Sequence, residues 1–189
     1  MSSIFYSMNM EAFRLVKEIA SPQLNLIMHY LGMSYLIVLP AIALYLYYRK
    51  DRNVVSFIVA FVLLYVIGDT IKLIVKEPRP CNVADLSWIN QIGCENTYSF
   101  PSNHATVLTG IAAFTNKYKY IRALYIIWLL LVLFGRVYLG LHYLTDVIAG
   151  VIISLVAVAF IWPFRKNING IVIKVVNKIL PWAIPKSWK

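Results

Sequence analysis

Apolar residues in this chain gather in runs of about 15 to 25 instead of alternating with polar ones, and that pattern leaves few folds open. A helix needs about 20 residues to cross the hydrocarbon layer of a bilayer. Five stretches meet or approach that length, roughly residues 23 to 48, 54 to 76, 102 to 116, 122 to 138 and 142 to 163. Continuous runs of this kind argue against a β-barrel, whose strands alternate. With 60% hydrophobic and 14% charged residues in 189, the chain reads as all-α. The expected architecture is a polytopic membrane helix bundle of five to six spans, one domain over 1–189 with its membrane core at 23–163. The third run is short and carries Asn116 near its end, so it is expected to extend while Lys117 and Lys119 reach the headgroups.

The flanking segments follow another pattern. In MEAFRLVKEIASP, Met10, Phe13, Val16 and Ile19 recur at helical spacing with Glu11, Arg14, Lys17 and Glu18 between them. This predicts an N-terminal interfacial amphipathic helix over 1–22 that ends at Pro22. The stretch has no basic leader and no small-residue cleavage site, so the first run is expected to act as the insertion signal. At the other end, Lys174 and Lys178 one turn apart favour an amphipathic tail over 164–189 lying on the membrane surface, with a sixth, partial span as the alternative. Basic residues fall between runs one and two (Arg49, Lys50, Arg52), between three and four (Lys117, Lys119, Arg122), and after five (Arg165, Lys166). These segments, and with them the C-terminus, are expected in the cytoplasm. The net charge of +10 is then anchoring at the inner leaflet, and its dispersal among the spans argues against a nucleic-acid partner.

An ionisable group at the bilayer centre costs about 2.5 to 3.5 kcal/mol, so each asks for a partner or a use. Lys72 and Lys76 close the second run, His104 opens the third, Arg136 closes the fourth, and His142 with Asp146 opens the fifth. Even runs leave where odd runs enter, so these ends share one side, opposite the basic loops and therefore outside. Singly, each has a structural explanation: Lys72 snorkels, Asp69 pairs with it one turn away, a histidine at a helix end sits in the interface. Their convergence on one face points to chemistry.

Spacing of four at a helix start places His142 and Asp146 on one face. The carboxylate there holds one ring nitrogen and leaves the other as nucleophile or base. Pro101 and Ser102 open a helix whose free N–H groups attract an anion, Ser102 adds a hydroxyl, and His104 faces the same anion as proton donor. Lys72, Arg79 and Arg136 supply the charge and fork geometry suited to phosphoryl oxygens, with Pro78 and Pro80 ending the second helix and holding Arg79 in the loop. Carboxylates are too few for a two-metal phosphatase and no Walker-type glycine loop occurs, so no metal or other cofactor is expected. Cys81 and Cys94 bracket the long outer loop and are expected to pair, since both would face an oxidising exterior.

KLIVKEPRP (Lys72 to Pro80), PSNH (Pro101 to His104) and GRVYLGLHYLTD (Gly135 to Asp146) resemble the three signature motifs of the type 2 phosphatidic acid phosphatases, membrane lipid phosphatases related to the vanadium haloperoxidases. The spacing agrees throughout: lysine, six residues, arginine-proline; then arginine, five residues, histidine, three residues, aspartate. Covering about 54 to 163, the resemblance implies that His142 is the nucleophile forming a phosphohistidine, Asp146 its orienting carboxylate and His104 the acid on the leaving group. It also implies phosphate binding by Lys72, Arg79, Ser102, Arg136 and the backbone N–H of Asn103. Two residues depart from the pattern: Asn103 stands where glycine is usual, and Gly135 where serine is common.

The short chain looks like the bacterial and archaeal members of that family that act on polyprenyl or dolichyl diphosphate. The implied reaction is hydrolysis of an isoprenyl diphosphate to the monophosphate and phosphate at the outer face of the cell membrane. Lys76, one turn beyond Lys72, is placed to meet the second phosphate. A phosphatidylglycerophosphate or phosphatidate phosphatase is the alternative within the class. An anion or proton transport protein is the non-enzymatic alternative, disfavoured because the polar residues stay at one end of the helices.

Overall fold

The computed structural model describes residues 3–83, 86 and 94–188. Its helices are α1 (Ser3–Ile19), α2 (Pro22–Met33), α3 (Tyr35–Tyr48), α4 (Asn53–Val75), the single turn α5 (Pro80–Val83), α6 (Asn103–Ile111), α7 (Lys119–Tyr138), α8 (Leu144–Ile161) and α9 (Arg165–Ile179). No strand occurs among the described residues. The first apolar run is therefore two helices. They part at Ser34, whose hydroxyl donates to the Leu31 carbonyl at 2.6 Å, and Pro40 sits inside the second.

Among the described residues, four segments are long and apolar enough to cross a membrane: Pro22–Tyr48, Asn53–Val83, Lys119–Tyr138 and Leu144–Ile179. The expected third run is not one of them. α6 continues only as a 3₁₀ helix over Ala112–Thr115. The extension through Lys117 and Lys119 does not form: Lys117 lies 3.7 Å from Asp51 and Lys119 already opens α7. The physical reason is burial. None of residues 103–115 is exposed, so α6 is solvated by other helices and needs no bilayer-matched length.

α6 nevertheless runs antiparallel to α4 from end to end. It starts with Asn103 beside Asp69, and the segment that follows it places the Tyr118 hydroxyl 3.1 Å from Asp51 Oδ2. Close packing on α8 holds it there: a Cβ at Gly150 would lie 2.8 Å from the Ala105 Cβ and 2.9 Å from the Ser102 carbonyl oxygen, distances only a glycine permits.

α1 packs on the start of α8. Phe13 and Val16 are buried, Ile19 stays exposed, and Asn9 Nδ2 donates to Thr145 Oγ1 at 3.0 Å. Ser21 then caps α2, accepting from the Leu24 N–H at 3.2 Å, with Pro22 at the first helical position. α9 and the residues after it gather at the opposite end of the bundle. Ser56 Oγ donates to Asn169 Oδ1 at 2.7 Å, the Tyr47 hydroxyl to the Ala183 carbonyl at 3.2 Å, and Trp188 Nε1 to the Lys50 carbonyl at 2.8 Å.

Candidate active site

Helix ends meeting around the last turn of α4 carry the polar residues. α4 stops at Val75 because Lys76 adopts a left-handed backbone (φ 54°), its N–H closing on the Lys72 carbonyl at 2.9 Å. The Lys76 side chain is exposed, outside the buried cluster. Lys72 is buried, and its Nζ donates to the carbonyls of Tyr98 and Ser99 at 2.7 and 3.1 Å. Asp69 turns elsewhere than expected. Its Oδ1 accepts from Asn103 Nδ2 at 2.8 Å.

Both departures from the family pattern find room. The Asn103 side chain fills the space that a Cβ on residue 68 would take, so Gly68 accommodates the asparagine. A Cβ at Gly135 would face Met28 of α2, 3.5 Å from its Sδ, so a side chain there would start towards α2.

His142 lies in the turn between α7 and α8, two residues before Leu144 opens the helix on which its spacing predicts it. Its N–H and that of Leu141 donate to the Arg136 carbonyl, at 3.2 and 3.1 Å. Asp146, in the first turn of α8, reaches back as a cap: its Oδ2 accepts from the Tyr143 N–H at 2.8 Å and from the Ser99 hydroxyl. The same oxygen lies 3.5 Å from His142 Nδ1, and Ser99 Oγ stands 3.4 Å from that nitrogen. A helix cap, not a shared helix face, brings the pair together. On the other side of the ring, Arg79 Nη1 approaches Nε2 at 3.2 Å. A guanidinium only donates, so Nε2 carries the lone pair and the proton sits on Nδ1, facing Ser99 and Asp146. Burial, and then the charges of Arg136 and Arg79, hold this imidazole well below its ordinary pKa. It is neutral at pH 7.

Around that nitrogen stand the donors. Arg79 Nε donates to the Thr97 carbonyl at 3.0 Å, Nη1 to the Leu141 carbonyl at 2.9 Å, and Nη2 to Thr97 Oγ1 and Glu95 Oε2, both at 2.7 Å. Glu95 Oε1 accepts from Arg136 Nη2 at 3.2 Å. Ser102 precedes α6 without capping it through its hydroxyl, and its N–H donates to the Asp146 carbonyl at 3.2 Å. The His104 ring meets Tyr35 edge-on, with centroids 5.1 Å apart. Ser102 Oγ, His104 Nε2 and Arg136 Nε are buried and have no partner among the described residues. Each such orphan costs about 1–3 kcal/mol, so their grouping marks a place for a polar ligand.

The structure thus brings Lys72, Arg79, Ser102, His104, Arg136, His142 and Asp146 together and leaves Lys76 exposed outside them. Cys81 and Cys94 are joined by a disulfide, and the Cys81 N–H donates to the Gly140 carbonyl at 2.9 Å. Sequence reasoning missed Glu95, Thr97, Tyr98 and Ser99. Three of the four, Thr97, Tyr98 and Ser99, act through backbone carbonyls, which no side chain marks. Ser99 stood two residues before Pro101, at the mouth of the PSNH motif, and that position was its signal.

With this geometry in hand, the chain matches the PAP2 superfamily over residues 53–169. The chain belongs to the PAP2 superfamily. Undecaprenyl-diphosphatase of Sulfolobus acidocaldarius is 30% identical over 148 residues, spanning 75% of this chain and 71% of that protein. Lipid A 4′-phosphatase of Porphyromonas gingivalis is 29% identical over 141 residues, 68% and 60% of the two chains. The crystal structure of a transmembrane PAP2 type phosphatidylglycerolphosphate phosphatase from Bacillus subtilis superposes with a TM-score of 0.69 at 25% identity, covering 88% of each chain. Like its PAP2 relatives, the chain is an integral membrane hydrolase of lipid phosphates.

Proposed function

We propose that this PAP2 enzyme hydrolyses an isoprenyl diphosphate to the monophosphate and inorganic phosphate at the outer face of the cell membrane, with His142 as nucleophile. The observation that carries the chemistry is the 3.2 Å approach of Arg79 Nη1 to His142 Nε2, which points the lone pair into the group of donors. Nε2 bonds to the terminal phosphorus as the bond from phosphorus to the bridging oxygen breaks. The electron pair leaves with the isoprenyl monophosphate, whose oxygen takes a proton from His104. Water then attacks the phosphohistidine, gives a proton to His104, and releases phosphate and free His142. Lys72, Arg79, Arg136, the Ser102 hydroxyl and the Asn103 backbone N–H hold the non-bridging oxygens through both steps. Asp146 orients the ring and stabilises its positive charge.

Similarity to an undecaprenyl-diphosphatase supports the diphosphate. Exposed Lys76 is the proposed contact for the second phosphate. Likeness to the Bacillus phosphatidylglycerolphosphate phosphatase favours a second reading, a monoesterase for phosphatidylglycerophosphate or phosphatidate. Phosphate release from both substrate classes in matched micelles separates them. The isoprenyl diphosphate should give the higher kcat/KM, and Lys76→Ala should narrow the gap. Faster cleavage of the monoesters puts the second reading first. In the proposed orientation the basic loops face the cytoplasm, and α1 and the C-terminal segment lie in the two interfaces.

A further inference from the structure

Arg79 is saturated by the protein itself. Its N–H groups number five, and five acceptors meet them: the Thr97 carbonyl, the Leu141 carbonyl, His142 Nε2, Thr97 Oγ1 and Glu95 Oε2. A phosphoryl oxygen reaches this guanidinium only by displacing one of them. Two are backbone carbonyls with fixed positions, and the imidazole gives up its contact only when it attacks phosphorus. Thr97 Oγ1 is itself within 3.2 Å of Glu95 Oε2 and is coupled to it.

Glu95 is different. Its side chain is 48% exposed while the arginines it bridges are 2% and 7% exposed, so it lies across the mouth of the pocket with solvent behind it. Its backbone is tethered, because Cys94 beside it is bonded to Cys81, two residues from Arg79. One carboxylate oxygen meets Arg79 at 2.7 Å and the other meets Arg136 at 3.2 Å, the spread of two oxygens on one phosphoryl group.

We propose that Glu95 is an exchangeable placeholder for the substrate's phosphoryl group, its carboxylate bridging Arg79 and Arg136 until phosphoryl oxygens take over the same N–H groups and the side chain rotates out to solvent. This rests on reading the pocket as the phosphate site. Before exchange, the buried cations Lys72, Arg79 and Arg136 face the carboxylates Glu95 and Asp146; afterwards the phosphate replaces Glu95 and the pocket stays charge-compensated. A tethered competitor acts at high effective concentration. Glu95 therefore raises the threshold for any anion that enters, inorganic phosphate as product included, and favours ligands with more negative charge than a carboxylate.

The test is inhibition by inorganic phosphate and by vanadate in wild type, Glu95→Gln and Glu95→Ala, with phosphate binding followed in parallel by calorimetry so that one readout is independent of turnover. Both inhibition constants and the phosphate Kd should fall about tenfold or more in the variants, about 1.4 kcal/mol per factor of ten. Glu95→Gln keeps an oxygen for one arginine and covers the case in which the alanine variant folds poorly. Unchanged or weaker anion binding overturns the proposal. That is the result for a Glu95 that merely positions the arginines, since its loss would let them drift. Failure of the phosphatase reading looks different, as a wild type that binds phosphate yet releases none from any lipid.

Discussion

On the proposed mechanism, His142 and His104 differ in what their loss removes. Without Nε2 no covalent intermediate forms, so His142→Ala should abolish phosphate release, whereas His104→Ala removes one proton transfer, an effect of about 10²–10⁴-fold. The loss in His104→Ala should shrink, and the gap between the two variants widen, for a phosphoryl substrate whose leaving group needs little protonation, such as an aryl phosphate. Comparable residual hydrolysis by the two variants would remove the assignment of roles. Local chemistry at this scale was legible in part. The cations and histidines announced themselves as expensive residues near helix ends, and the spacing of His142 to Asp146 put them within reach. How they meet was not legible, because a cap built from Tyr143 N–H, Ser99 and Asp146 Oδ2 depends on where α8 begins. Glu95 gave no sign at all, since an acidic residue in a long polar loop ordinarily faces water.

At the scale of elements, the segment from Cys94 to Ser99 does most to shape the pocket. It supplies acceptors to Lys72 and Arg79 and has no regular structure of its own, so its order depends on its ends. One end enters α6; the other is the disulfide, closing a loop with a sequence separation of 13. A closure of that size contributes about 3 kcal/mol in the chain-entropy model. Replacing both cysteines by serine, or adding dithiothreitol, should therefore lower the melting temperature and raise KM for the lipid phosphate. An unchanged KM would mean that the segment holds its place unaided. α1 was readable because an amphipathic period survives whatever covers it: Met10, Phe13 and Val16 line one face, and the last two are buried. α6 was legible as an apolar helix but not as a sheltered one, because hydropathy reports that residues avoid water and is silent on whether lipid or protein replaces it.

For the whole molecule, the distribution of charge and the antiparallel run of α4 and α6 make one statement about orientation. Lys76 and Lys119 are both exposed, at opposite ends of the bundle, and the two described cysteines are already bonded to each other. Single cysteines at these positions should separate in intact cells, with an impermeant thiol reagent labelling Lys76→Cys and sparing Lys119→Cys until the cells are opened. The opposite pattern would turn the site towards the cytoplasm. Between those ends the apolar faces of α3, α4, α7 and α8 carry the exposed side chains Ile37, Ile74, Leu130 and Ile152, while every one of residues 103–115 is buried or half-buried. Membranes differ in thickness by a few ångströms, and a protein answers such mismatch by tilting or stretching whatever its acyl-chain neighbours grip. Here that grip falls on the outer helices alone. α6, which carries His104, sits inside them like a spindle in a sleeve, so phosphate release is expected to change little between vesicles of thin and thick acyl chains.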